Sequence, residues 1–337
     1  MRAVAVVFDG PANLDLRELR LVPPADDEVV VDIAVSGIST GTERLLWTGE
    51  MPPFPGMGYP LVPGYESVGR IRHAGPESGR QAGQLVFVPG ARCYESAHGL
   101  FGGASSRVVL KGARTLIIDE NLSEQGVLLA LAATAHNALR LPEGGYRLPD
   151  LIVGHGVLGR LLARMVVALG NKPPVVWENN KKRLDVSENY QVICPDDDGK
   201  GNYQTICDVS GDASLLDTLI SRLKPHGEVV LAGFYQQPLQ FAFPPAFMRQ
   251  ARIRIAAEWQ QKDLESAYRL VSDGALSLDG LITHCQSPNQ ALAAYETAFS
   301  DPTCLKMVLD WGRLEAGFGL DLENLDVPTI NAFGWHH

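Results

Sequence analysis

Gly154, Gly156 and Gly159 form a Gly-x-Gly-x-x-Gly run inside Asp150-Leu-Ile-Val-Gly-His-Gly-Val-Leu-Gly159. The apolar residues before it read as a buried strand, and Arg160-Leu-Leu-Ala-Arg-Met-Val-Val-Ala-Leu169 after it reads as a helix. That order suits the cradling of a pyrophosphate. Gly154 permits the tight turn, Gly156 lets the backbone approach the phosphates, and Gly159 lets helix pack on strand. His155, Val157 and Leu158 complete the turn, and the helix N-terminus brings partial positive charge to the phosphates. A second strand, Pro174-Val-Val-Trp-Glu178, ends in an acid 24 residues past Gly154. An acid at that spacing hydrogen-bonds a ribose 2′-hydroxyl and repels a 2′-phosphate, so Glu178 favours NAD over NADP. The cations of Asn179-Asn-Lys-Lys-Arg183 could meet a phosphate or simply open a solvated helix. Ser210 and Gly211 follow a later strand and are expected to flank the cofactor's midpoint. Gly233 and Phe234 end the next strand and are expected near the nicotinamide ribose.

These residues need an alternating scaffold to position them. Strands are predicted at 150–153, 174–178, 205–209, 228–232 and 253–256, with helices at 213–223 and 263–273. Alternation of this kind implies a doubly wound parallel sheet, an α/β Rossmann domain. Residues 1 to about 120 read differently, as short β-branched runs at 3–8, 28–35 and 84–88 broken by Gly and Pro. Residues 47–64 hold five prolines and four glycines and are predicted to lack regular structure. A helix is predicted from Ser123, as N-cap, through Leu139. The tail is predicted as helix 288–299 and strand 305–310. The domains expected are therefore 1–122, completed by 275–337, and 123–274.

A net charge of −10 argues against nucleic-acid binding. No apolar run reaches the roughly 18 residues of a membrane span. The N-terminus reads as a strand, not a signal peptide. Five scattered cysteines without a Cys-x-x-Cys pair suit a reducing, cytoplasmic compartment.

The order of β-rich domain, helix, dinucleotide fold and short return resembles the medium-chain dehydrogenase/reductase superfamily, which implies a GroES-like catalytic domain. Gly64-Tyr-Glu-Ser-Val-Gly69 stands where zinc alcohol dehydrogenases carry Gly-His-Glu-x-x-Gly. Val35-Ser-Gly-Ile-Ser-Thr-Gly-Thr-Glu43 stands where they carry Gly-Ile-Cys-x-(Ser/Thr)-Asp, with one extra residue. Leu131-Ala-Ala-Thr-Ala-His-Asn-Ala-Leu139 resembles the helix whose threonine, here Thr134, contacts nicotinamide. A catalytic zinc takes three Cys, His or carboxylate ligands. The matching positions here hold Ser39 or Thr40, Tyr65, and Ala132-Ala133, so no metal is expected.

The stretch from Gly37 to Gly69 is similar to the 3-hydroxyethyl bacteriochlorophyllide a dehydrogenase family of bacteriochlorophyll biosynthesis. That resemblance implies oxidation of a hydroxyethyl group on a chlorin-type ring to acetyl, with NAD as acceptor. The alternatives within reach of the fold are a zinc-independent NADPH quinone or enoyl reductase, and a non-catalytic dinucleotide-binding protein. A free alcohol has a pKa of about 16. Its alkoxide would cost roughly 12 kcal/mol at pH 7, so a metal-free site must hand the proton to a positioned group. The candidates are Tyr65, Ser39, Thr40, Thr42, Glu66 and His136. For a flat apolar substrate, Trp47, Met51, Phe54, Met57 and Tyr59 of the Pro-rich loop are expected to offer contact, and Arg44, Arg92 or Arg107 to meet its carboxylate. A homodimer through strand 253–256 fits the resemblance.

Overall fold

The computed structural model describes residues 1–315 apart from Phe54, Asn171, 185–188 and Ala257. The chain divides into two units, Met1–Ala130 with the residues from Asp279 onward, and Leu131–Leu278. Residues 120–128 stay with the first unit for a packing reason. A Cβ on Gly126 would lie 2.7 Å from Val68 Cγ2 and 2.8 Å from Ile118 Cδ1.

The first unit is built on two sheets. Strand Glu28–Ile38 is the spine of the larger one, with ten of its eleven residues buried. Its first half pairs with Arg107–Lys111 and its second half with Lys306–Asp310, while Ser67–Ala74 runs antiparallel along its other side. The smaller sheet runs in the order Asn13–Arg20, Arg2–Gly10, Leu61–Val62, His98–Gly99. Both pack on one core that includes Phe8, Val31, Leu46, Tyr295 and Trp311. Strands buried on both faces read as unbroken apolar runs, which is why 3–8 and 28–35 were legible.

The second unit is a six-stranded parallel sheet in the order Gln191–Ile193, Val175–Trp177, Leu151–Val153, Tyr203–Asp208, Leu223–Leu231, Arg252–Ile255. Strand order reverses between Leu151–Val153 and Tyr203–Asp208, which creates the crevice where such sheets bind ligands. Leu151, Leu161, Leu162, Met165 and Val166 are buried, so helix Val157–Ala168 lays its apolar face inward.

Three expectations change. The helix predicted from Ser123 begins at Leu129, after a 3₁₀ stretch over Glu120–Leu128. Ser123 is not an N-cap, because its φ of 47° and ψ of −133° lie outside the extended region a cap adopts. The Pro-rich loop is also not wholly irregular, since helix Thr42–Thr48 runs into it and Leu61–Val62 forms a strand. The third parallel strand, Gln191–Ile193, has only three residues and gave no periodic signal.

Candidate functional site

In the parallel-sheet unit the glycine turn follows its predicted logic. Gly154 has φ +103° and donates its N–H to Trp177 O at 2.9 Å. A Cβ on Gly159 would lie 1.9 Å from the carbonyl oxygen of Gly154, so helix and strand meet backbone to backbone. A Cβ on Gly156 would meet nothing nearer than Arg183 Nη1 at 4.0 Å, so the surface beside it is open. No side chain caps helix Val157–Ala168, and its first N–H groups remain for an anion. The turn and helix thus fit the pyrophosphate of a dinucleotide.

Glu178 ends the neighbouring strand half-buried. Its Oε2 accepts the His155 N–H at 3.1 Å and its Oε1 accepts the Asn180 N–H at 2.7 Å. The carboxylate is thereby fixed against the glycine turn with lone pairs to spare. The His155 side chain is corrected, however. It is fully buried and bonded to Arg183 O at 2.9 Å and to Tyr190 Oη at 3.0 Å, so only its backbone belongs to the turn. Across the switch point, Asp208 accepts the Ser210 N–H at 2.9 Å, the Ser210 hydroxyl at 2.6 Å and the Tyr235 hydroxyl at 2.8 Å. Burial raises the Asp208 carboxyl above its usual range and these bonds oppose the rise. Gly211, at φ +73°, and Gly233 approach closely, a Cβ on Gly233 falling 2.9 Å from Gly211 N. Phe234 is exposed beside them.

His136 is also corrected. It is buried, with Nδ1 2.9 Å from Asp263 Oδ1 and Nε2 3.0 Å from Tyr146 Oη. Asp263 additionally accepts from Arg140 and Asn137 and caps helix Gln261–Ser272. Burial would raise its carboxyl, but the Arg140, Gln260, His136 and Asn137 bonds outweigh that and hold it at about 2. With a carboxylate on one nitrogen and a hydroxyl on the other, His136 ties helix Leu129–Leu139 to helix Gln261–Ser272. Thr134 lies half-buried on the same helix, Leu129–Leu139.

In the β-rich unit the hydroxyls converge. Ser39 is buried, and its Oγ lies 2.8 Å from Tyr65 Oη. Thr40 stands exposed, and Thr42, at the start of helix Thr42–Thr48, is half-buried. Burial first, then the charge of Glu66, pushes the Tyr65 hydroxyl well above the usual tyrosine range, against the Ser39 bond. Tyr65 is therefore a hydroxyl at neutral pH and not a base. Phe101 packs edge-on against its ring at 5.2 Å.

Glu66 is corrected as a terminal proton acceptor. It is fully buried, and its Oε2 lies 2.6 Å from Lys306 Nζ. The partner was not foreseen. The only sequence signal is a lysine inside the apolar strand Lys306–Asp310, where burial demands a counter-charge.

The loop residues expected to meet substrate mostly build the core. Trp47 stacks with Tyr295 at 6.4 Å, Met51 is buried, Met57 packs against the same cluster, and the Tyr59 hydroxyl donates to Leu46 O at 2.7 Å. Phe54 lies outside the described residues. Arg107 is buried and paired with Asp32, while Arg44 and Arg92 are exposed. Among the described residues no group of three or more His, Cys, Asp or Glu side chains is placed to hold a metal ion, and the hydroxyls of Ser39 and Tyr65 do not fit a catalytic zinc. No helix among them is long and apolar enough to cross a membrane.

Residues 25–119 match the alcohol dehydrogenase GroES-like domain. The chain is 53% identical over 316 residues to the 2-desacetyl-2-hydroxyethyl bacteriochlorophyllide A dehydrogenase of Cereibacter sphaeroides, covering 92% of this chain and 99% of that one. It is 53% identical over 312 residues, with the same coverage, to the enzyme of that name from Rhodobacter capsulatus. Its fold is similar to that of an Escherichia coli alcohol dehydrogenase solved with NADH, at TM-score 0.78 and 20% identity, covering 92% of this chain and 99% of that one.

Proposed function

Because this chain belongs to the family of 2-desacetyl-2-hydroxyethyl bacteriochlorophyllide A dehydrogenases, we propose that it oxidises the hydroxyethyl side chain of a bacteriochlorophyllide to acetyl with NAD as hydride acceptor. The observation that carries the chemistry is the Ser39–Tyr65 hydroxyl pair, 2.8 Å apart. The substrate O–H donates to Tyr65 Oη as Tyr65 donates to Ser39 Oγ, and the displaced proton leaves the Ser39 hydroxyl for solvent. A bound nicotinamide would supply the electron sink for the hydride of the carbinol carbon. The ketone oxygen then accepts the Tyr65 O–H. A high Tyr65 pKa suits this role, because the group must return to its protonated state after each cycle.

We read the reaction as zinc-independent on donor chemistry alone, since Ser39 and Tyr65 offer neither thiolate nor imidazole. The carbinol carbon of the proposed substrate sits on a conjugated ring, which spreads positive charge as hydride departs and lessens the need for a full alkoxide. NAD is favoured over NADP by the fixed Glu178 carboxylate, which repels a 2′-phosphate. Tyr65→Phe is expected to cut kcat at least about tenfold with little change in dinucleotide affinity. An unchanged kcat would remove Tyr65 from the reaction.

We further propose a homodimer. Edge strand Arg252–Ile255 presents Ile253 and Ile255 to solvent, beside exposed Phe243, Phe247 and Met248. An exposed apolar patch on an unpaired sheet edge suits pairing with a second copy. Sedimentation at twice the chain mass is expected, and a species at the chain mass at micromolar concentration would contradict it.

A further inference from the structure

The turn that carries Ser39 is held from both sides. Lys306 Nζ donates to Ile38 O at 3.2 Å, and Glu43 Oε1 accepts the Ser39 N–H at 3.1 Å. The peptide between Ile38 and Ser39 thus lies between an ammonium and a carboxyl. The second oxygen of Glu43 accepts the Tyr295 hydroxyl at 2.7 Å. Glu43 is 1% exposed, Glu66 0% and Lys306 1%.

Two buried carboxyls therefore share one buried ammonium. Lys306 is 2.6 Å from Glu66 Oε2 and neutralises that carboxylate. Glu66 Oε1 is buried with no hydrogen-bond partner, and the donors to Glu43, the Ser39 N–H and the Tyr295 hydroxyl, are both neutral. Glu43 is the odd member, and a neutral cluster requires it to carry the proton.

We propose that Glu43 is a positioning residue for the Ser39–Tyr65 hydroxyl pair and that it exchanges a proton with solvent as the unpaired carboxyl of the Glu43–Glu66–Lys306 cluster. The proposal rests on the hydroxyl-relay reading above. The groups facing Glu43 are Ser39 on its own turn, Tyr295 from helix Ala291–Ser300, Glu66 and Tyr65 from the segment before strand Ser67–Ala74, and Lys306 from strand Lys306–Asp310. Burial pushes Glu43 up to about 7, with Glu66 adding to the rise and Tyr295, Ser39 and Lys306 opposing it. Ionised Glu43 grips the Ser39 N–H more strongly and places negative charge near the hydroxyl pair, which draws the departing substrate proton toward Tyr65. Protonated Glu43 removes that pull. Alcohol oxidation should therefore accelerate as pH rises through the Glu43 transition.

Infrared pH-difference spectra of the whole protein test this without substrate. Titration from about pH 5 to about pH 9 should remove a protonated-carboxyl C=O band with a midpoint near neutrality, and Glu43→Gln should lack it. Tyr295→Phe, which deletes a donor to the ionised form, should move the midpoint upward. In turnover, kcat/KM of the wild type should rise roughly tenfold per pH unit below the transition, and Glu43→Gln should flatten that limb. A titrating band that survives in Glu43→Gln, or an unchanged pH limb, would overturn the proposal. Absence of any alcohol turnover by the wild type would overturn the substrate reading instead, and the infrared result would still decide the status of Glu43.

Discussion

Gly156→Ala is expected to leave the free protein as stable as the wild type and to weaken dinucleotide binding at least about tenfold. Gly159→Ala is expected to damage both. The two glycines are three positions apart in one motif, yet they meet different surroundings. Gly156 has extended backbone, φ −75° and ψ −168°, which alanine adopts, and its Cβ would reach open space. The added methyl matters only when a pyrophosphate comes to lie there. Gly159 faces the carbonyl of Gly154, and a Cβ 1.9 Å from that oxygen cannot be absorbed by a side-chain rotation. Strand and helix must separate, at a cost of more than about 3 kcal/mol. Thermal unfolding and titration with NADH distinguish the cases. Gly156→Ala binding as tightly as wild type would show that the turn does not hold the phosphates.

Lys306→Met is expected to destabilise the β-rich unit by roughly 3–5 kcal/mol, because it leaves the Glu66 carboxylate buried without its counter-charge. Native-state hydrogen exchange at the amides of strand Glu28–Ile38 would report this, since that strand pairs directly with Lys306–Asp310. The double variant Glu66→Leu with Lys306→Met should recover most of the loss, because two apolar groups of similar size demand no compensation. If the single and double variants were equally unstable, the loss would not be that of the Glu66 counter-charge. Part of the single variant's loss also comes from Ile38 O, which gives up the Lys306 donor.

The glycine turn and its flanking strands were legible because their determinants are local. Strand, turn, helix and the acid of the next strand fall within Asp150–Glu178, and the physics that selects them is steric and periodic. The hydroxyl pair was half legible. Ser39 and Tyr65 stood out by position, but their meeting spans 26 residues, and the exposure of Thr40 is set by the turn into helix Thr42–Thr48. The long-range polar contacts were not legible. Glu66 meets Lys306 across 240 residues and His136 meets Asp263 across 127, separations that no local pattern encodes. His136 shows the hazard plainly. An imidazole is the usual choice for proton transfer, yet both of its nitrogens are hydrogen-bonded, to Asp263 and to Tyr146. The aromatic residues of the Pro-rich loop carry a similar lesson. Trp47 and Tyr59 have the size and shape to stack on a ring, but the core beneath needed the same surface.

Glu43 lies in Gly41-Thr-Glu43, where its residue type and spacing assign it no role. A glutamate in the first turn of a helix ordinarily reads as a partner of the helix dipole. Only its burial against Tyr295, with Lys306 already committed to Glu66, distinguishes it.

The central claim is direct hydride transfer from the carbinol carbon of a hydroxyethyl bacteriochlorophyllide to NAD. It is tested most directly with substrate deuterated at that carbon, chelator-treated protein, and mass analysis of the nicotinamide. The account predicts an acetyl product and one deuterium in the reduced nicotinamide ring. An acetyl product with unlabelled nicotinamide, or no reduced nicotinamide at all, would contradict it.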